Sequence, residues 1–299
     1  MSMIKGLGLL GKLNIFIIRI RERRSFLKRV KLLNNLYKTR QADAPKPVWK
    51  NSHTRGINNE NFRADNSYVW QKRQYRDSDI KRTYDVVKEL DKQNLLSTLV
   101  EKGDFCVETY RYDQISFSRD LMDSVLEINF LADHLQIPFE RVIDLGAGYG
   151  RFASRILECN LANEVFCIDA IPKSTAISEI YLSEHIANEK ARVIGMHERN
   201  RLEDFSFDLA VNIHSFSEMA LCEVDEWVKF LRKLDIAWLF VVPNGPELSL
   251  NDGRSFNGIL SKHGFEVRFK REKYSNIESP ETLLYPSTYY LLENINNYR

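Results

Sequence analysis

The sequence lacks the features that mark several specialised classes of protein. Its four cysteines form no CxxC pair and no His/Cys cluster has the spacing of a zinc site, so we expect reduced thiols in a reducing compartment. No uncharged stretch reaches the roughly 20 apolar residues that a transmembrane helix needs. Neither a secretory cleavage site nor an internal repeat is visible. These absences leave a globular chain of 299 residues, 43% hydrophobic and 28% charged.

Positive charge is concentrated at the start of the chain. Residues 1–40 hold 11 of the 43 Lys and Arg residues and only one of the 41 acids, Glu22, so the rest of the chain is mildly acidic. Leucines and isoleucines are interspersed with these charges, which predicts a basic amphipathic segment. We expect a cytoplasmic protein in which this segment contacts the inner membrane face. The alternatives are a helix packed on the body of the protein or on a partner, and a basic arm.

Nucleic acid is not expected as a partner, since no RNA- or DNA-binding module accompanies the basic segment. The chain divides into this segment at 1–40, a linker and helical cover at 41–103, and a larger domain at 104–299. Helical spacing of apolar residues predicts helices over 77–102 and 118–135. Ser118 is a natural N-cap for the second of these helices, and Asp120 is favourable in its first turn.

From residue 142 onward, short apolar strands alternate with helical stretches. Strands are predicted at 142–145, 165–168, 193–195, 209–213, 236–242, 265–269 and 289–292, and helices at 151–158, 175–187, 224–234 and 256–263. This alternation is typical of a mostly parallel sheet that helices cover on both faces. We therefore predict an α/β fold, a doubly wound seven-stranded sheet with an N-terminal helical extension.

A glycine-rich turn follows the first of these strands. Residues 141–151 read RVIDLGAGYGR, which predicts a buried strand, a turn and the start of a helix. Glycines let a ligand approach the backbone closely, and the first N–H groups of the helix can bind an anionic group. A dinucleotide fingerprint would need its third glycine at position 151, which is Arg151. The third glycine is instead Gly150, and Asp169 ends the next strand, where its carboxylate can accept hydrogen bonds from both hydroxyls of a ribose.

The DxGxGxG spacing resembles the first motif of class I S-adenosylmethionine (SAM)-dependent methyltransferases, which have a Rossmann-like fold. The last two predicted strands are similar to the end of their sheet, where the final strand is inserted antiparallel. The stretches SRDLMDSVLE at 118–127, VNIHSFSEM at 211–219 and VPN at 242–244 resemble the sugar O-methyltransferase family. The resemblance runs from about residue 49 to the C-terminus. It implies SAM as cofactor, and acceptors among antibiotic glycosides and bacterial surface polysaccharides.

The resemblance also implies roles for individual residues. The glycines would shape the turn under the methionyl part of SAM, and Asp169 would bind the ribose. Asp144 would hold the turn or contact the amino group, or is a structural carboxylate. Arg119 would contact the SAM carboxylate or the acceptor, unless it only forms an ion pair at its helix start. The expected cofactor-binding residues are Asp144, Gly146, Gly148, Gly150, Asp169, His197 (which would border the adenine) and Arg119.

Methyl transfer to a sugar hydroxyl needs a group that removes its proton. His214 follows the fourth strand of the sheet, where acceptor-facing groups lie in this fold, and is our first candidate for the general base; Glu218 is the second. The alternatives are a hydrogen-bonded loop histidine and an acid at a helix N-terminus. A magnesium ion that orients two sugar hydroxyls could bind Glu218 with Asp120. No ligand spacing requires such an ion, and we assign no metal-binding residue.

These observations predict a SAM-dependent O-methyltransferase that acts on a sugar hydroxyl of a glycoside or a polysaccharide precursor. Two other functions remain open. One is methylation of a different small molecule, such as a quinone or a polyketide. The other is a non-catalytic SAM-fold partner in a polysaccharide-assembly complex. The acceptor, the hydroxyl position and the oligomeric state are not written in the sequence.

Overall fold

The computed structural model describes residues 9–38, 56–66, 69, 71–73, 75–187, 189–275 and 277–296, with the side chains of the first helix described from residue 22 onward. The helices are α1 (Leu9–Lys38), α2 (Asp77–Leu90), α3 (Leu95–Thr98), α4 (Arg119–His134), α5 (Arg151–Glu158), α6 (Pro172–His185), α7 (Leu221–Lys233) and α8 (Asn257–Lys262). The strands are β1 (Tyr110–Tyr112), β2 (Ile115–Phe117), β3 (Phe139–Leu145), β4 (Ala162–Asp169), β5 (Ala191–Gly195), β6 (Leu209–Ile213), β7 (Trp238–Val242), β8 (Phe265–Glu272) and β9 (Thr288–Asn294).

Seven of these strands form one sheet in the order β5-β4-β3-β6-β7-β9-β8. The first five run parallel, whereas β9 is antiparallel to both of its neighbours. The α/β fold, the seven strands and the antiparallel insertion at the end of the sheet are thus as predicted. The order of the strands reverses at β3, which lies between β4 and β6. In open α/β sheets this reversal creates a crevice at the carboxyl ends of the strands.

The core follows from the apolar runs of the parallel strands. Val142, Ile143 and Leu145 in β3 are completely buried, and the strands on either side are buried almost throughout. Helices on both faces of a parallel sheet bury both faces of each strand, which explains why these strands read as continuous apolar segments. The burial holds the carboxyl ends of β3, β4, β6 and β7 in fixed register at one edge.

One local prediction was wrong, and one hairpin was not predicted. The helix predicted over 77–102 ends at Leu90, and α3 begins separately after Asn94, whose backbone is left-handed at φ +56°. The Asp91 side chain accepts a hydrogen bond from the Leu96 N–H (2.7 Å), which stabilises the new start. The β1–β2 hairpin was not predicted. Its two-residue turn, Asp113-Gln114, has positive φ at both positions without the glycine that usually marks such a turn.

The described part of α1 packs on the body of the protein. Phe26, Leu33 and Tyr37 are buried on its inner face, and Arg29 forms a bidentate ion pair with Glu179 of α6, with Nε 2.8 Å from one carboxylate oxygen. Residues 1–8 and 39–55, which belong to the predicted basic segment and linker, lie outside the described residues. Among the residues that are described, no helix is both long enough and apolar enough to cross a membrane.

Candidate active site

A cavity of about 610 Å³ opens at the carboxyl ends of β3, β4, β6 and β7. This volume is in the range of small-molecule and cofactor sites. Seven of the nine predicted site residues line it, namely Arg119, Asp144, Gly146, Gly148, Asp169, His214 and Glu218. The reversal of strand order at β3 therefore brings together residues that are more than 70 positions apart in the sequence.

The turn between β3 and α5 needs glycine at two positions, for different reasons. Gly146 has φ +74°, and a Cβ there would lie 2.3 Å from the Ser215 Oγ. Gly148 has φ +61°, and a Cβ there would meet no atom within 4 Å. The first glycine therefore allows the turn to pack against the loop after β6. The second leaves open space on the cavity side, where a ligand can lie against the backbone.

The Asp169 carboxylate ends β4 and is buried. One oxygen accepts a hydrogen bond from the Gly148 N–H (3.0 Å) and the other from the Ile171 N–H (2.7 Å). Burial raises the pKa of Asp169 to about 7, although these two backbone N–H groups act in the opposite direction. Because a carboxylate has about four acceptor sites, each oxygen can still accept one hydroxyl. This geometry fits a ribose with two neighbouring hydroxyl groups.

The Asp144 carboxylate, near the end of β3, is also buried. Burial is the main cause that raises its pKa to about 7, and nearby Asp169 raises it further while Arg151 lowers it. It makes no hydrogen bond within the described residues. An unpaired buried carboxylate is costly unless a cation or a donor meets it. Asp144 therefore fits a ligand that brings positive charge into the cavity, as the ammonium and sulfonium groups of SAM do.

His214 lines the same cavity in an unusual backbone conformation. Its φ is +67°, a left-handed value that a non-glycine residue seldom adopts and that often marks a functional site. Its N–H donates to the Val242 carbonyl (2.7 Å), which fastens the loop to β7. Burial lowers the pKa of His214 to about 3, and Arg119 and Arg151 contribute. The lowered pKa keeps this imidazole neutral, and its Nδ1 is buried with no hydrogen-bond partner in the described part of the chain.

Glu218 belongs to a polar wall that sequence reasoning found only in part. The Asn244 side chain donates to Glu218 Oε1 (3.4 Å) and to Asn251 Oδ1 (2.9 Å). Asn244 follows β7, and the Asn251 N–H is held by the Ser217 carbonyl (2.8 Å). The carboxylate and the two amides therefore present several acceptors and donors to one side of the cavity.

Arg119 is held in place by two acids of its own helix. Its η nitrogens lie 3.0 Å from Asp120 Oδ1 and 3.1 Å from Asp123 Oδ2, and its guanidinium lies over the Tyr285 ring at 5.0 Å. Burial alone would lower the pKa of Arg119, but the two carboxylates raise it. Nε is buried and has no hydrogen-bond partner among the described residues. Arg119 thus keeps its charge beside the cavity.

Asp120 fastens a covering segment, residues 56–66, 69 and 71–73, over the cavity. Its Oδ2 accepts hydrogen bonds from Arg63 Nε (3.2 Å), Gln71 Nε2 (3.1 Å) and the Tyr149 hydroxyl (2.9 Å). Phe62 from the same segment lines the cavity. With its other oxygen paired to an arginine, Asp120 is not available for the magnesium ion considered above. No group of three His, Cys, Asp or Glu within the described ranges could hold a metal ion.

Two predicted residues lie outside the cavity lining. Gly150 precedes α5, where a Cβ would lie 2.9 Å from the Leu182 side chain, so its role in the structure is close packing. His197 packs beside Tyr37 of α1, with ring centroids 5.9 Å apart. The roles of these two residues toward a cofactor stay predictions.

Other lining residues were missed because no local pattern marks them. Trp227 of α7 is almost completely buried, and its indole N–H has no hydrogen-bond partner in the part of the chain that is described. Arg151 begins α5 and pairs bidentately with Glu127 at 2.7 and 2.9 Å. In the sequence, Trp227 cannot be distinguished from the other apolar residues of an amphipathic helix. The only signal from Arg151 is that it excludes a dinucleotide fingerprint.

One protein-family model matches part of this chain. The model of a family described as methyltransferase small domain matches residues 111–226. A search of curated proteins finds no match.

Similar solved structures include an RNA methyltransferase of Pyrococcus horikoshii, at 17% identity and TM-score 0.45, which covers 73% of this chain and 98% of its own. Magnesium protoporphyrin IX methyltransferase from Synechocystis with bound SAM has 14% identity and TM-score 0.42, covering 74% of this chain and 99% of its own. A SAM-dependent methyltransferase of Leishmania major has 17% identity and TM-score 0.43, and the match covers 57% of this chain and 71% of that chain.

The site fits SAM at each point where its residues can be tested. Gly148 leaves room for the ligand, Asp169 has two free acceptor positions for a ribose, and Asp144 is a buried carboxylate that lacks a partner within the described residues. The matched family segment contains all three residues. Together with the order of the sheet and the matched family segment, these findings show a Rossmann-like methyltransferase fold with a site that fits SAM as its cofactor.

Proposed function

We propose that this enzyme methylates a hydroxyl group of a sugar, in a glycoside or a surface-polysaccharide precursor, with His214 as the general base. The observation that carries the proposal is the His214 imidazole, which is neutral and faces the same cavity as Asp144 and Asp169. When bound, SAM supplies an electrophilic methyl group on a positively charged sulfur. The residues of the chain must then orient the acceptor and take its proton.

Proton transfer to His214 leaves the number of positive charges in the site unchanged. The acceptor oxygen gains the methyl group and loses its proton to the imidazole, while the sulfur loses its positive charge. One positive charge therefore leaves the sulfur and one appears on His214, so the total charge of the site is unchanged. This balance matters because burial lowers the pKa of His214 to about 3 and so disfavours protonation of its imidazole when the surrounding charge is otherwise unchanged. Nearby Asp123 favours the protonated imidazole.

The polar wall supports a sugar as acceptor. Glu218, Asn244 and Asn251 offer both hydrogen-bond acceptors and donors, which a polyhydroxylated ring can use in several directions. Tyr285 with Pro286 supplies an apolar surface on the cavity lining. The acidic lining residues and the mildly acidic body of the chain disfavour a polyanionic acceptor such as RNA.

A panel of acceptors tests the substrate class. The purified protein would be incubated with SAM and with glycosides, phenols or quinols, and formation of S-adenosylhomocysteine would be measured. We expect turnover with one or more glycosides and none above background with the phenols. Turnover with phenols alone would refute the sugar assignment while leaving the methyltransferase intact, and a folded chain that does not bind SAM would favour the scaffold alternative.

Variants of the two candidate bases test the mechanism. His214→Gln should lower kcat by about 10²–10⁴-fold while the Kd for SAM changes little, because general-base catalysis contributes that much. His263→Gln is a matched control, since His263 pairs with Asp225 (2.9 Å) and is not among the cavity-lining residues. A full loss of kcat in Glu218→Gln with normal kcat in His214→Gln would assign the base to Glu218 instead.

A further inference from the structure

The helix α1 has two faces of opposite character. Its inner face carries the buried side chains of Phe26, Leu33 and Tyr37 and the ion pair between Arg29 and Glu179. These contacts fix the rotation of the helix about its own axis. The opposite face is therefore held outward by the fold and not left free to turn toward the body.

The outward face is basic and flanked by exposed leucines. Spacings of four, three and seven residues place Arg24, Lys28, Lys31 and Lys38 along one side of the helix, and all four are exposed. None of them forms an ion pair within the described residues. Leu27 and Leu32 border this row and are 52% and 48% exposed. A row of unpaired cations beside exposed aliphatic side chains suits a surface that is both anionic and apolar.

We propose that this outward face of α1 binds an anionic membrane surface. Charge complementarity favours it, since residues 1–40 hold 11 basic residues and one acid. The leucines favour a lipid surface over nucleic acid, because phosphate binding would use the cations and leave the apolar side chains exposed. The proposal concerns binding only and does not depend on the identity of the methyl acceptor.

The same helix reaches the cofactor site. The Tyr37 hydroxyl lies 2.8 Å from Thr175 Oγ1 and donates to the Asp169 carbonyl (3.2 Å). These contacts connect the end of α1 to the backbone of Asp169, whose carboxylate fits the ribose. A membrane-bound α1 would therefore hold the catalytic domain at the bilayer surface. If the proposed function is right, an acceptor linked to a lipid would be presented there.

Co-sedimentation with vesicles tests the proposal. The full chain would be mixed with vesicles of phosphatidylcholine alone, or of phosphatidylcholine with phosphatidylglycerol, at low and at high salt. We expect binding to the anionic vesicles only, weakened by salt. Each basic residue near a membrane changes partitioning roughly fivefold, so Lys28→Glu with Lys31→Glu should weaken binding at least about 25-fold.

Lys229→Glu with Lys233→Glu is the matched control, because it makes the same charge change on the exposed surface of α7. It should bind vesicles nearly as well as the unchanged chain. If both double variants lost vesicle binding equally, the effect would depend on net charge alone and the proposal would be overturned. Absence of binding to anionic vesicles at low salt would also overturn it. Binding to single-stranded RNA in a filter assay without binding to vesicles would overturn it in favour of nucleic acid.

Discussion

Alanine at Gly146 and alanine at Gly148 should fail in different ways. At Gly146 a Cβ would lie 2.3 Å from Ser215 Oγ and 2.4 Å from Ser215 Cβ, distances that no packed structure tolerates. Overpacking costs about 1–3 kcal/mol and a left-handed alanine about 1–2 kcal/mol more. Gly146→Ala should therefore lower the free energy of unfolding by about 2–5 kcal/mol. Gly148→Ala meets no atom within 4 Å and should cost only about 1–2 kcal/mol.

Ligand binding should show the opposite order of severity. The new methyl group of Gly148→Ala would project into the space where SAM lies against the backbone, so affinity should fall at least about tenfold, or 1.4 kcal/mol. Urea unfolding followed by circular dichroism would give the stabilities, and isothermal titration calorimetry the affinity of each variant that folds. A Gly148→Ala protein that binds SAM like the unchanged chain would refute this account of the turn.

A double-mutant cycle isolates the clash at Gly146. Ser215→Gly removes both atoms that the new Cβ would meet but leaves the backbone strain, so the double variant should regain about 1–3 kcal/mol. Strictly additive effects of the two substitutions would show that the loss has another cause.

Three further predictions follow from contacts around the site. Tyr37→Phe removes the hydroxyl that bonds Thr175 and the Asp169 carbonyl, and should lower the free energy of unfolding by about 1 kcal/mol in urea titrations. Arg63→Met removes one of the cations that pair with the buried Asp120 carboxylate. This substitution should lower the free energy of unfolding by about 3 kcal/mol in the same assay. Burial raises the pKa of both Asp144 and Asp169 to about 7. Because SAM favours the ionised forms of these carboxylates, its affinity should fall as the pH drops from 8 to 6. Binding should also release protons, which calorimetry in several buffers would detect.

Each of these has a control. Phe26→Leu, elsewhere on the inner face of α1, should change stability without removing a hydrogen bond to the cofactor strand. Lys88→Met breaks an ion pair with Asp113 that is exposed to solvent and should cost much less than Arg63→Met. Asp144→Asn should release fewer protons on SAM binding than the unchanged chain. A SAM affinity that is constant from pH 6 to 8 would contradict the assignment of the two carboxylates.

The sheet could be predicted because each parallel strand is an apolar run between turn residues. The limits of β6 match the prediction residue for residue, and Ser118 caps α4 by accepting a hydrogen bond from the Leu121 N–H (3.1 Å). The hairpin turn at Asp113 escaped prediction because its positive φ angles occur without glycine. An element that is determined by side-chain burial can be predicted from its apolar pattern. A turn that depends on strained backbone angles without glycine leaves little trace in the sequence.

The glycine turn and the strand-end carboxylates of the cavity lining could be predicted, whereas most of the opposite wall could not. Glycines and a carboxylate at a strand end are a local pattern, but Asn251 and Trp227 reach the cavity from segments far apart in the chain. The network of buried ion pairs on α4 could not be predicted either. Asp123 and Glu127 occupy positions that look solvent-facing, yet they are buried because Lys273 and Arg151 arrive from elsewhere in the fold. Partners of this kind depend on tertiary structure alone.

The most direct test is calorimetric titration of the unchanged chain with SAM, beside Asp169→Asn. The unchanged chain should bind one equivalent. Asp169→Asn should bind about 10²-fold more weakly, since the ribose hydroxyls would lose two hydrogen bonds to a charged group, at about 1.5 kcal/mol each. A chain that keeps its cooperative unfolding transition and shows no heat with SAM, or an Asp169→Asn variant with unchanged affinity, would contradict the central assignment.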